Sequence, residues 1–175
     1  ALQVVAFWCA AGPAAWFAAD PAFDAACAER EAVMDEAAGG MLDGWQATAV
    51  GSLALILLLD QFPRNVFRGT PRAFATDGRA LAVSRRAMAN GHDAAFPMPV
   101  RSFFFLPFMH AEDLAAQDEA VDIYLRLGDH EALLYAFLHH DAIRRFGRFP
   151  HRNPILGRAS TPAEEAWLAG GGFAG

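Results

Sequence analysis

The apolar positions along the chain recur at helical rather than strand spacing. No long stretch alternates apolar and polar residues, and alanine and leucine outnumber valine and isoleucine. Asp20-Pro21 and Thr161-Pro162 each place a capping side chain before a proline at the first helical position. Gly39-Gly40 and Gly147 follow apolar stretches, as glycines do after a helix. The pattern predicts an all-α protein.

Helices are predicted over residues 21–38, about 48–62, 70–90, about 111–127 and 129–146, with a last short helix after Thr161. The apolar residues expected to face inward on the helix over 111–127 are Leu114, Val121 and Leu125. Those expected to face inward on the helix that ends at Phe146 are Leu133, Leu134, Phe137 and Leu138. Residues 92–107, with three prolines and the run Phe103-Phe104-Phe105-Leu106, are expected to form an apolar connection. Short turns favour a compact antiparallel helical-hairpin array of about seven helices.

The chain shows no clean linker, so one domain is predicted over residues 1–168. The Gly/Ala-rich residues 169–175 are expected to be a frayed tail. A length of 175 residues suits one domain with its own core. Because 54% of the residues are hydrophobic and 19% are charged, disorder of the whole chain is excluded.

Composition removes several classes of function. A net charge of −6 disfavours nucleic acid as a partner. All 14 basic residues are arginine, so lysine Schiff bases and P-loop lysines are excluded. Cys9 and Cys27 form no CxxC pair and favour a reduced, cytoplasmic setting. No signal peptide is expected, although a trimmed one is compatible with the sequence, and the longest apolar run, Ala47–Leu59, is too short for a membrane span.

Three strings carry a family resemblance. LLLDQFPRNVFRGTPRAFATD (residues 57–77), FFFLPFMHAEDLAAQ (103–117) and RFGRFPHRNPILGRASTPAEEAWL (145–168) resemble a bacterial domain-of-unknown-function family. The opening AFWCAAGPAAWFAADPAFD is similar to the usual start of that family, and the small departures include Cys9 and Ala111. The resemblance covers nearly the whole chain. It implies a tetratricopeptide-like all-helical fold and brings no established activity.

The first candidate site lies at the end of an apolar helix and comprises Asp60, Gln61, Arg64 and Asn65. Asp60 and Arg64 are spaced i,i+4 and share a helix face. One interpretation is a structural ion pair between these two, or between Asp60 and Arg148 or Arg152. The other is an arginine that Asp60 holds ready for an anionic ligand.

The second candidate site is His110 with Glu112 at a helix start, where acidic residues are favourable without any function. His110 is a candidate general base or metal ligand. The third is the loop that carries Arg148, His151, Arg152, Asn153 and Arg158. Its positive charge suits a phosphate or carboxylate group, or alternatively ion pairs that fix the loop to Glu112, Asp113 or Asp60.

His139-His140-Asp141 is compatible with a metal site, but further ligands are needed, and a core-flanking histidine is the preferred interpretation. We therefore expect no metal and no cofactor. The chain lacks a glycine-rich phosphate loop, a GxSxG elbow and HExxH, so whether it is an enzyme stays open.

Three hypotheses follow for the function. The preferred one is a tetratricopeptide-like helical binding module for a protein or peptide. The alternative is an enzyme or binder of a small anionic metabolite with an Arg/His/Asp pocket. The third is a purely structural network of buried charges.

Overall fold

The computed structural model describes residues 1–174, and its regular structure there is entirely helical. The all-α prediction is therefore confirmed. Among the described residues the α-helices are α1 (Leu2–Ala11), α2 (Pro13–Trp16), α3 (Pro21–Ala28), α4 (Glu31–Ala38), α5 (Ala49–Ile56), α6 (Phe62–Val66), α7 (Asp77–Ala89), α8 (Leu106–His110), α9 (Leu114–Leu127), α10 (His130–Phe146) and α11 (Pro162–Ala169). Short 3-10 turns lie at Asp43–Ala47, Pro71–Phe74, His92–Ala95, Val100–Phe104 and Pro150–Arg152, and a π turn at Leu57–Gln61.

The segments outnumber the roughly seven expected because turns subdivide predicted helices. The helix predicted over residues 21–38 breaks at Arg30, whose backbone has φ −107° and ψ 12°. The Arg30 guanidinium donates to the Ala26 carbonyl at 2.6 Å and lies over the Phe7 ring at 3.6 Å. Pro71 begins only a 3-10 turn, and α7 starts at Asp77, because the Thr70 hydroxyl donates back to Phe67 O instead of capping.

Local capping signals are confirmed at several helix ends. The Asp20 carboxylate accepts from the amides of Ala22 and Phe23. Asp129 accepts from the Ala132 amide at the start of α10. The Thr161 side chain and the α11 residue Glu164 form a reciprocal capping box. These contacts span two to three residues, which is why sequence predicts them.

The chain divides into two compact units, residues 1–107 and residues from Phe108 onward. In the first unit α5 is buried along its length and packs against α1 and α7. Trp8 has no exposed surface, and its ring lies 5.3 Å from Phe62 and 5.5 Å from Phe103. The predicted apolar connection is thus part of this core, since Phe103, Phe104 and Phe105 are all buried.

The second unit is built on the hairpin of α9 and α10. His140 of α10 contacts Asp118 of α9 at 2.8 Å, and each lies eleven residues from Asp129, as an antiparallel hairpin requires. The predicted inward faces of both helices are wrong. The buried residues of α9 are Ala116, Gln117, Ala120, Ile123 and Tyr124, and those of α10 are Ala136, His139, Ala142 and Ile143. The large residues predicted to be inside are half-buried or exposed: Leu114, Val121, Leu125, Leu133, Leu134, Phe137 and Leu138.

The residues after α11 form contacts where a frayed tail was predicted. The amide of Gly172 donates to Trp167 O at 2.9 Å. The Phe173 ring lies 4.1 Å from His139, which supplies the apolar surface that holds it. The frayed tail over residues 169–175 stays a prediction, and Gly175 lies outside the described residues. A single domain over residues 1–168 stays a prediction.

Candidate functional site

The π turn Leu57–Gln61 places Asp60 inside the first unit. A π turn widens the helix and displaces backbone carbonyls from their usual i+4 donors. Side chains take two of these acceptors: Thr76 Oγ1 donates to Leu59 O at 2.5 Å, and Arg64 Nη1 donates to Asp60 O at 2.7 Å. The Asp60 carboxylate is completely buried, and it accepts from Gln61 Nε2 at 2.5 Å.

Arg64 joins two carboxylates in this unit. Its Nη1 lies 3.1 Å from Asp60 Oδ1, which confirms the predicted i,i+4 pair. The same guanidinium donates to both oxygens of Asp77 at 2.9 and 3.0 Å. Burial lowers the pKa of Arg64, but Asp60 and Asp77 together raise it above its usual value, so the side chain stays charged. Asn65 points elsewhere, with its Nδ2 donating to Asp24 Oδ1 at 2.9 Å.

In the second unit Glu112 binds the loop that follows α10. Its Oε1 accepts from the Phe149 amide at 2.8 Å, and Arg158 donates to Oε2 at 2.6 Å and to Oε1 at 2.9 Å. Burial raises the pKa of Glu112, but these hydrogen bonds lower it below the usual value overall. The expectation that Glu112 fixes this loop is confirmed, whereas Asp113 caps α9 by accepting from the Ala116 amide.

Arg148 and Asn153 contact the buried Glu164 of α11. Arg148 donates from Nε to Oε1 at 2.7 Å and from Nη2 to Oε2 at 2.9 Å. Asn153 Nδ2 lies 3.3 Å from Glu164 Oε2, and its Oδ1 accepts from Arg158 Nε at 3.0 Å. The hydrogen bond from Arg148, with those from Thr161, lowers the pKa of Glu164 to about 2. One continuous network therefore joins the loop to residues before α9 and to α11.

A cluster of histidine and phenylalanine rings lies beside this network. The His139 ring is 6.3 Å from His110, 5.6 Å from Phe149 and 4.1 Å from Phe173. His139 Nδ1 contacts Tyr135 O at 2.8 Å, so Nδ1 carries the proton and Nε2 is an acceptor. Burial, with the charge of His110, lowers the pKa of His139 to about 3.

His151 and Arg152 complete this cluster. Burial and the charge of Arg152 lower the pKa of His151 to about 4. Arg152 is 6% exposed, and its guanidinium lies 4.5 Å from the centre of the Phe149 ring. At neutral pH the two low-pKa histidines are therefore uncharged side chains of the second unit.

The outward side of α10 carries the most concentrated set of exposed apolar side chains on one helix. Leu134 is 58% exposed, Phe137 51% and Leu138 40%. Their i, i+3, i+4 spacing places them on one side of the helix, and we call these three residues the α10 stripe. Glu131 precedes the stripe, and the exposed Arg144 and Arg145 follow it. The sequence pattern identifies this face correctly, but its expected place in the core is wrong.

A family comparison bears on the whole of this arrangement. The sequence model of the family described as "Bacterial protein of unknown function (DUF924)" matches residues 4–172. The chain belongs to this family. The match includes both units and all the candidate residues, so the resemblance drawn from the three strings is confirmed. The family description names no reaction, ligand or partner.

A solved structure agrees with the fold. A protein of unknown function from Agrobacterium tumefaciens is 49% identical, and its TM-score with this chain is 0.90. The match covers 95% of this chain and 94% of that one. No curated protein matches significantly.

No three His, Cys, Asp or Glu side chains within residues 1–174 are grouped to hold a metal ion. None of the helices in that range is both long enough and apolar enough to cross a membrane.

The contacts that were not predicted from the sequence include Arg64 with Asp77, Arg148 with Glu164, and Ser52 Oγ with His92 Nδ1 at 2.9 Å. The last resembles a nucleophile–base pair, but Ser52 is 1% exposed and lies inside α5. These partners are 13 to 40 residues apart, and no local spacing predicts them. The local contact of Glu164 is the capping box with Thr161, which does not indicate its pairing with Arg148.

Proposed function

We propose that the protein is a helical binding module that receives an amphipathic helix of a protein partner on the α10 stripe. The observation that supports this most is the exposure of Leu134, Phe137 and Leu138 on one side of a 17-residue helix. Apolar residues at this spacing normally face a core, and an exposed set typically marks an interaction surface. The tetratricopeptide-like arrangement implied by the family resemblance is part of this proposal.

A helix suits this surface because of its shape and its charge. At about 1.5 Å per residue, α10 is roughly 25 Å long, and the stripe forms a short apolar ridge over roughly 6 Å of it, against which another helix packs by ridges and grooves. Charges of both signs flank the ridge, with Glu131 at one end and Arg145 at the other. An anionic membrane surface would be repelled by the acidic end, so a protein helix fits better. A cytoplasmic location also belongs to this proposal.

The alternative, a small anionic metabolite bound by an Arg/His/Asp pocket, has weaker support. Arg64 already pairs with two carboxylates, and Arg148 with Glu164 in a bidentate contact. An anion there would have to displace a neighbouring carboxylate. The low pKa values of His139 and His151 also leave both rings uncharged at neutral pH, so neither ring attracts an anion by charge.

Selection of helical peptides tests the proposed function directly. A phage library of amphipathic 18-residue peptides is panned on the wild-type protein and on the L134E/F137E double variant. We expect peptides with apolar residues at i, i+3, i+4 and i+7 that bind the wild type at least tenfold tighter than the double variant. Leu2→Glu is the matched control, because Leu2 is also exposed but lies on α1. Equal enrichment on all three proteins would overturn the proposal.

A further inference from the structure

Leu138, the last residue of the α10 stripe, lies midway along the sequence between two opposite charges. Glu131 is seven residues before Leu138, and Arg145 is seven residues after it. Positions seven apart on an α-helix drift by only about 20°, so all three side chains leave the helix on nearly the same side. Glu131 is exposed, Leu138 is 40% exposed and the Arg145 side chain is 56% exposed.

This spacing makes the helix complementary to a second copy of itself. If two α10 helices lie antiparallel with the two-fold axis at Leu138, Glu131 of each is opposite Arg145 of the other, roughly 10 Å from the axis at 1.5 Å per residue. Leu134 and Phe137 then fill the contact between the charged ends. A parallel arrangement would instead place Glu131 against Glu131 and Arg145 against Arg145, which is repulsive.

We propose that the helix received by the α10 stripe is α10 of a second copy of this chain, in an antiparallel two-fold dimer. This inference rests on the proposed function, because it names the occupant of the same surface. Arg145 pairs with Asp141 within one helix at 2.7 Å, and its side chain is 56% exposed, which leaves room for a second carboxylate to reach it.

The size of the surface sets the expected affinity. A stable dimer normally buries roughly 800 Å² on each partner, and three side chains alone do not supply that area. Tyr135, which is 48% exposed, and the two charged ends must therefore lie within the contact. We expect the dissociation constant of the dimer to be micromolar rather than nanomolar. The ion pairs determine that the two α10 helices lie antiparallel.

Charge reversal with heterodimer rescue tests the inference. Sedimentation velocity is measured on wild type, E131R, R145E and an equimolar mixture of the two variants. Each variant alone places like charges in both contacts, so we expect its dimer dissociation constant to rise at least tenfold. In the mixture, a chain with arginine at both positions meets a chain with glutamate at both, so each contact again joins opposite charges. We expect these mixed dimers to form within about threefold of wild-type affinity.

Arg126→Glu makes the same charge change at an exposed site on α9 and serves as the matched control. We expect it to leave dimerisation unchanged, because Arg126 lies outside the α10 surface. Circular dichroism checks that each variant folds, and E131K, which makes the same charge change, replaces E131R if the latter does not.

Several outcomes would overturn the inference. They are a wild type that stays monomeric up to about 1 mM, single variants that dimerise like wild type, or a mixture that is not rescued. If the wild type is monomeric but still selects helical peptides, the dimer inference is wrong and the proposed function is still supported. A dimer with no response to L134E/F137E would show that the copies meet elsewhere.

Discussion

Arg158 and Glu112 meet in a two-pronged contact, with guanidinium nitrogens donating to both carboxylate oxygens at 2.6 and 2.9 Å. The same carboxylate receives the amide of Phe149, so the pair joins the loop after α10 to the residues before α9. Both side chains are about a quarter exposed, at 24% and 25%. An ion pair with this exposure is intermediate between surface pairs, which contribute little to stability, and buried pairs, in which the loss of one partner is strongly destabilising.

We expect Arg158→Ala to lower the free energy of unfolding by about 2 kcal/mol, because it removes the charged donor to Glu112 and the donor to Asn153 Oδ1. Urea denaturation measures the change, and a double-mutant cycle with Glu112→Gln isolates the coupling. Arg72→Ala is the control: its pairs with Glu31 and Asp35 are exposed, and with its stacking on Phe67 the loss should stay below about 1 kcal/mol. Equal losses at both sites would contradict a structural role of the network.

Asp60 is expected to be necessary for the stability of the fold. Asp60→Ala removes the buried carboxylate that Gln61 and Arg64 contact, and should cost about 3–5 kcal/mol in unfolding free energy. Asp35→Ala removes a carboxylate that is 65% exposed and should change stability by less than about 0.5 kcal/mol. Thermal unfolding compares the two, and a stable Asp60→Ala variant would argue against the structural interpretation.

The buried histidines predict loss of stability at acid pH. The pKa of His139 is about 3 in the folded chain and near 6.5 when it is exposed, so the unfolded state binds the proton first. Stability is therefore full above about pH 6.5 and falls as the pH drops towards 3, by on the order of 1 kcal/mol per unit from this residue. Urea denaturation at several pH values measures the slope.

His139→Phe should flatten the fall between pH 6 and 4. His130→Gln removes an exposed histidine at the start of α10 and serves as the control. Below about pH 4.5 the carboxylate of Glu164, with its pKa lowered to about 2, adds a second loss as it is protonated. An unchanged slope in His139→Phe would contradict the burial of a neutral ring.

Truncating a side chain to alanine is expected to destabilise the protein on the buried face of α10 and to have little effect on its exposed face. Ile143 is 3% exposed and packs with Phe149, so Ile143→Ala should cost about 2–4 kcal/mol. Leu134→Ala should cost less than about 0.5 kcal/mol, because 58% of Leu134 is already exposed. Chemical denaturation under conditions where the protein is monomeric separates the two. A loss of unfolding free energy in Leu134→Ala as large as that in Ile143→Ala would show that the α10 stripe is part of the core.

Any side chain at position 51 of α5, where the chain has glycine, is expected to destabilise the fold. A Cβ there would lie 1.9 Å from the backbone oxygen of Trp45, so Gly51→Ala must displace the backbone and should cost at least about 3 kcal/mol. Gly78 of α7 has no atom within 4 Å of the same position. Gly78→Ala should therefore stabilise the protein by up to about 1 kcal/mol. The order of the two melting temperatures checks this prediction, and a Gly51→Ala variant as stable as wild type would contradict it.

Sequence predicts the features of this molecule whose causes are local. The caps at Asp20, Asp129 and Thr161 act within three residues, and the helix ends they mark are found. The i,i+4 pair of Asp60 and Arg64 is also local, and it is found. Such contacts depend on spacing alone, which the sequence contains.

The orientation of the α9–α10 hairpin was not predictable in the same way. Periodicity shows that Leu134, Phe137 and Leu138 share a face, but not which face packs. The buried sides instead carry small residues, Ala120 and Ala136 among them, which allow two backbones to approach closely. Long-range partners such as Asp77 and Glu164 depend on the tertiary fold, so no spacing indicates them.

The π turn at Leu57–Gln61 restricts how this chain can vary in length. A π turn contains one residue more than a regular α-helical path, and removing any one of the five would let a regular helix run from Ala49 into α6. Everything after the deletion would rotate by about 100° about the helix axis. Asn65 would then turn away from Asp24, which lies before the deletion. Surface loops tolerate the deletion of a single residue. Within Leu57–Gln61, however, the same deletion is expected to prevent folding, although all the other side chains are unchanged.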